Sequence, residues 1–216
     1  MDSEPWTHLT SPPSAITASH DSTDSSTFLP EIEEEIEGVP PFVCTIDLMS
    51  KLLENGLPLV HRFQKWKRLF SLLRDGCSFP TLLHKCRQNK KTVMIIESTT
   101  HNIFGCYASD VWENKRGSAQ FYGNGESFVF RQDRCGDVKV FKWTGANSFF
   151  QLCDQDTSRL AIGGGNGSFA LCVEDDFNRG TSGPSETYGN EECLCGGGEG
   201  DGWFEILNFE VYGFVS

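Results

Sequence analysis

Phe121-Tyr122-Gly123-Asn124-Gly125-Glu126-Ser127-Phe128-Val129-Phe130, followed by Val140-Phe141-Lys142-Trp143-Thr144-Gly145-Ala146-Asn147-Ser148-Phe149-Phe150, decides how this chain is read. Each stretch joins a short apolar run of strand length to a glycine-containing turn. The same punctuation continues on both sides. Residues 92–216 hold 19 of the 22 glycines and one of the nine prolines. Strands are predicted at 93–97, 103–108, 119–122, 127–131, 138–143, 149–153, 160–162, 169–173 and 203–214. In the last, Leu207, Phe209 and Val211 would share one face, with Asn208, Glu210 and Tyr212 on the other.

Upstream the period changes from two to between three and four. Thr45 is placed to cap a helix that runs to Asn55, with Gly56 and Pro58 as its stop. Leu59, Phe63, Trp66, Leu69, Phe70 and Leu73 predict a second helix, ended by Gly76, whose other face carries Arg62, Lys65, Lys67 and Arg68. A third short helix is predicted over 80–88, with Leu82, Leu83 and Cys86 buried. Residues 1–41 read as a disordered tail, poor in large apolar groups and containing nine acidic residues but no Lys or Arg. Residues 42–216 then form one domain, a helical lead-in over 45–90 and a β-region over 92–216. The expected class is α+β, mainly β: a two-sheet antiparallel β-sandwich flanked by short helices.

Charge is unevenly spread. The net charge of -12 opposes general attraction to nucleic acid or anionic lipid, yet residues 51–91 carry ten basic groups against Glu54 and Asp75. Arg62, Lys65, Lys67 and Arg68 are therefore candidate partner-binding residues, which the acidic run at 31–37 could shield until a partner displaces it. Met1-Asp2-Ser3-Glu4-Pro5 has neither the basic start nor the apolar run of a secretory leader, and no stretch reaches the roughly 18–20 apolar residues of a membrane helix. The expectation is a cytoplasmic monomer with nine reduced cysteines that reaches organelles only through a partner.

No catalytic centre can be assembled. Asp154-Gln155-Asp156 follows an apolar run, as in aspartyl phosphatases, but it lacks that motif's βα setting and reads as a turn. Gly163-Gly164-Gly165-Asn166-Gly167 and Gly196-Gly197-Gly198-Glu199-Gly200 match neither dinucleotide nor phosphate loops and read as structural. Cys193-Leu194-Cys195 lacks a second ligand pair for zinc and is instead a candidate redox-sensitive pair, in acidic surroundings that disfavour a thiolate. No metal, cofactor or catalytic residue is expected.

The two opening stretches closely resemble the TLDc domain family. The likeness continues through Leu160 to Gly167, through Thr187-Tyr188-Gly189-Asn190 and into the closing strand, and covers about 46–216. Gly123, Gly125, Glu126, Trp143, Gly145, Gly163 and Gly165 fall at signature positions. Their plain reading is scaffold, with Trp143 in the core and the glycines in turns. The resemblance implies binding to the cytosolic sector of the vacuolar-type proton-pumping ATPase, modulation of its assembly or activity, and a linked role in oxidative-stress resistance. The alternative is a thiol-based antioxidant or another enzyme acting directly on oxidants.

Overall fold

The computed structural model describes residues 29–33, 43–113, 120–174, 176–196 and 202–216. Most of the expected tail, residue 119 and the glycine run at 197–200 lie outside these.

Helix α1, Ile46–Asn55, forms where its caps predict: Thr45 Oγ1 accepts from the Leu48 amide at 3.1 Å, and Leu48, Met49, Leu52 and Leu53 are buried. Helix α3, Phe79–Cys86, starts the same way, with Ser78 Oγ accepting from the Thr81 amide and Leu82 and Cys86 buried. Between them the predicted second helix does not exist. Leu59–Phe63 is a 3-10 turn, Lys65–Ser71 is strand β1, and Leu72–Asp75 is the four-residue helix α2.

The spacing that suggested a helix was coincidental, because Leu59, Phe63 and Leu73 are exposed and Trp66 is buried as an inward strand residue. Pairing of β1 along the last strand supplies a ladder that local propensity does not anticipate. Strand burial alternates from Lys65 to Arg68, and a register shift between Arg68 and Phe70 then lets consecutive residues turn inward.

The remaining strands are β2 (Thr92–Ser98), β3 (Ile103–Ala108), β4 (Phe128–Gln132), β5 (Val138–Lys142), β6 (Gln151–Asp154), β7 (Arg159–Ile162), β8 (Leu171–Val173), β9 (Arg179–Thr181) and β10 (Trp203–Val215). The fold is mainly β and antiparallel, in the order β5-β4-β3-β2-β10-β9-β8-β7-β6, with β1 also on β10. β10 joins two sets of ladders. Trp203 to Glu205 pair with β9, and the stretch beyond pairs with β2 and β1.

One apolar cluster takes Met94, Ile96, Phe104 and Val129 from the first set and Leu160, Ile162, Leu171 and Val173 from the second. This sharing is compatible with a two-layer sandwich. A separate cluster packs α1 against Trp66, Val93, Ile95, Tyr107, Phe128, Phe130 and Tyr212, so β2, β3 and β4 are buried on both faces.

Leu207 does not share a face with Phe209 and Val211. The register shifts between Ile206 and Asn208, which leaves Leu207 46% exposed and returns Phe209 and Val211 to the core cluster that holds Phe204 and Ile206.

The 3-10 turn is anchored by His61, which is buried, stacked on Phe214 at 3.7 Å, and hydrogen-bonded to Tyr107 Oη at 2.9 Å and Gln64 Oε1 at 2.7 Å. Burial holds its imidazole below the ordinary histidine range. The unfolded chain therefore takes up the proton first as pH falls, and stability is lost as the pH drops from about 7 through the ordinary histidine value near 6.5. Thermal melts of wild type and His61→Gln at pH 7.5 and 5.5 should show a smaller pH effect in the variant. Equal slopes would rule His61 out.

Candidate functional site

Of the signature residues, Gly125 and Trp143 meet directly, and the others lie in separate turns. Gly123 and Gly163 have φ of +94° and +73°, and Gly125 lies under the Trp143 indole so closely that an added Cβ would meet it at 2.3 Å. Thr187 ties the segments together. Its carbonyl accepts from the Thr144 amide at 2.9 Å, its hydroxyl accepts from the Gly164 amide at 3.0 Å, and that hydroxyl also lies 2.6 Å from Asn147 Oδ1. Gly165, with φ of +99°, packs against the Glu186 side chain. Glu126 makes a surface pair with Lys91 at 2.7 Å. Gly145, at φ +85°, has open space where a Cβ would stand.

Trp143 is not a core residue. It is 44% exposed, held by its Nε1–H donating to Asn147 O at 2.8 Å and by an edge contact with Phe150 at 5.4 Å. Beside the Gly163–Gly165 turn stands a second exposed ring, Phe149 at 41% exposure, packed on Gly164 and 4.8 Å from the half-buried Phe121, which in turn lies 6.2 Å from Phe169. The sequence carried one signal for Phe149: two adjacent aromatics in an extended run cannot both face inward. The glycine turns thus hold two exposed aromatic side chains, Trp143 and Phe149, each seated on a glycine.

The four basic candidates do not act together. Arg62, Lys65 and Lys67 are exposed, but Arg68 is buried and its Nη1 donates to Glu210 Oε1 at 3.1 Å. Glu210 also accepts from the Tyr212 hydroxyl and the Val43 and Cys44 amides at 3.1–3.3 Å. Arg68 is therefore a structural residue, and β1 places it inward by the alternation that turns Lys65 and Lys67 outward. Lys65 pairs with Glu31 at 2.9 Å and Lys67 with Glu33 at 2.8 Å. Glu34 to Glu37 lie outside the described residues.

Cys193 is half-buried and lines an open cleft of about 450 Å³ with Gly167, Ser168, Ser182, Gly183 and Glu192. Cys195 is buried, and burial followed by its hydrogen bond with Cys193 pushes its thiol up to about 12. It stays protonated at neutral pH, against thiolate chemistry. The cleft's two serine hydroxyls are engaged: Ser168 Oγ donates to Pro184 O and Ser182 Oγ to Ala170 O, each at 2.6 Å.

Elsewhere, Asp154 accepts from the Thr157 hydroxyl and the Asp156 amide, closing a turn between β6 and β7. Among the described residues no three His, Cys, Asp or Glu side chains converge as metal ligands, and no helix is long and apolar enough to cross a membrane.

The model of the TLDc domain matches residues 43–215. Oxidation resistance protein 1 of Bos taurus is 33% identical over 168 residues, covering 77% of this chain and 18% of that protein. Oxidation resistance protein 1 of Yarrowia lipolytica is 26% identical over 176 residues, covering 79% and 72%. Nuclear receptor coactivator 7 of Homo sapiens is 31% identical over 163 residues, covering 74% and 17%. The chain thus spans less than a fifth of the length of these animal relatives.

Proposed function

The chain belongs to the TLDc domain family, and from that membership we propose that it is a non-catalytic binding protein acting in oxidative-stress resistance. In this reading it docks on the cytosolic sector of the vacuolar-type proton-pumping ATPase and changes the pump's assembly or activity. The observation that carries the binding part is the exposed pair Trp143 and Phe149, seated on Gly125 and Gly164, where rigid rings offer large contact area at little entropic cost. The relatives named oxidation resistance protein support the stress-related part.

Direct thiol chemistry has less support. Burial pushes the thiols of Cys86 and Cys153 up to about 12 and that of Cys172 to about 11. Such groups are poor nucleophiles at neutral pH.

Affinity capture from cell lysate with the full chain should recover pump subunits. The variant Trp143→Ala/Phe149→Ala should recover about tenfold less, on the scale of a hot-spot pair, while its melting temperature stays within a few degrees. Recovery without pump subunits, or equal recovery by a folded variant, would overturn this reading.

A further inference from the structure

The outer edge of β1 is occupied by a piece of the chain's own acidic segment. Ile32 and Trp66 form a parallel β-bridge. The Trp66 amide donates to Glu31 O at 2.8 Å, and the Glu33 amide donates to Trp66 O at 2.7 Å. Side chains alternate across this bridge. Ile32 packs partly buried on the cluster that contains Trp66, while Glu31 and Glu33 pair with Lys65 and Lys67.

An edge strand presents a row of unpaired backbone groups, and strand addition to such an edge is a general recognition mode. Here the backbone supplies the hydrogen bonds and the Lys65-Trp66-Lys67 alternation supplies the selectivity, favouring an acidic, an aliphatic and an acidic residue in that order. Glu35-Ile36-Glu37 repeats the same tripeptide. Both ion pairs are solvent-exposed, with side-chain exposures of 42–66%, so each adds little to the hold, which rests on two backbone hydrogen bonds and one partly buried isoleucine.

We propose that the edge of β1 is a binding site for an extended acidic–aliphatic–acidic strand, filled in cis by Glu31-Ile32-Glu33 and open in trans to a partner protein segment of the same alternation. The site stands whichever protein the aromatic surface docks on.

The probe is a fluorescent synthetic peptide of residues 29–39, titrated into the full chain and into a full-length release variant, Ile32→Asp/Glu33→Pro/Ile36→Asp/Glu37→Pro. If the edge is free about a tenth of the time, the release variant should bind about tenfold tighter. Adding Lys65→Glu/Lys67→Glu should abolish binding, and a peptide with its glutamates changed to lysine should restore it. Equal affinity for the full chain and the release variant, or for a peptide of the same composition with its isoleucines moved out of alternation, would overturn the proposal.

Amide hydrogen exchange on the unmodified chain gives a readout free of any variant. Saturating peptide should leave Trp66 protected and remove protection from Glu33. Continued protection at Glu33 would also overturn it.

Discussion

Arg68→Met is expected to destabilise the domain by about 3–5 kcal/mol, the cost of leaving one member of a buried ion pair without its partner. Arg68 and Glu210 are both buried, and Glu210 gathers the Arg68 guanidinium, the Tyr212 hydroxyl and two amides from the chain entering α1. One carboxylate thereby joins β1, β10 and the start of the α1 layer.

Removing the guanidinium takes away the buried cation that faces this carboxylate and leaves the Tyr212 hydroxyl and the Val43 and Cys44 amides beside it. Since domains of this size are stable by roughly 5–15 kcal/mol, the loss would be a large share of the whole. Lys67→Met, one residue away but exposed, should cost no more than about 1 kcal/mol. Adding Glu210→Leu to Arg68→Met should recover only part of the loss, because the Val43 and Cys44 amides would then lack their acceptor. Urea denaturation midpoints of the four proteins decide it, and similar midpoints for Arg68→Met and Lys67→Met would sink the argument.

This pair also shows where sequence reading stops. Its members are 142 positions apart, and nothing local to Arg68 distinguishes it from Lys65 or Lys67. α1 and α3 were legible because their signals are local: a capping hydroxyl, an amphipathic turn and a glycine or buried cysteine at the end.

β2 to β8 were legible from short apolar or alternating runs between turn signals. β1 was not, because Trp66, Leu69, Phe70 and Leu73 fall at helical steps by chance and the ladder to β10 is a tertiary fact. β9 was missed because Arg179-Gly180-Thr181 has the composition of a turn and is a strand only between β8 and β10.

For the site, charge alone pointed to an acidic segment meeting a basic one, and Glu31 with Lys65 and Glu33 with Lys67 realise it. That Ile32 would bridge Trp66 required the strand that the sequence concealed. Trp143 was misread as core because a tryptophan beside an apolar run looks buried. What fixes it at the surface is Gly125, whose missing side chain makes room for the indole.

The signature glycines should separate sharply when each is replaced by alanine. Gly163 sits at φ +73°, and an added Cβ would stand 2.7 Å from Ala170 Cβ, 2.8 Å from Ser185 Oγ and 2.9 Å from a Tyr188 ring carbon. Two costs combine there. A side chain in the left-handed region costs roughly 1–2 kcal/mol, and overpacking a filled interior adds about 1–3 kcal/mol.

Of these three, Ser185 and Tyr188 are tethered, since Ser185 Oγ is hydrogen-bonded to the Gly164 backbone and the Tyr188 hydroxyl donates to Phe150 O at 3.0 Å. Gly163→Ala should therefore lose about 2–5 kcal/mol. Gly145 has φ +85° but open space beyond it, so Gly145→Ala should lose only the backbone part, about 1–2 kcal/mol. Because Gly163 precedes the turn that seats Phe149, its replacement should also loosen the aromatic surface, while Gly145→Ala should leave partner capture intact. Melting temperatures and capture yields measured on both variants test this, and equal losses of stability would mean that crowding at Gly163 is relieved by movements its hydrogen bonds do not allow.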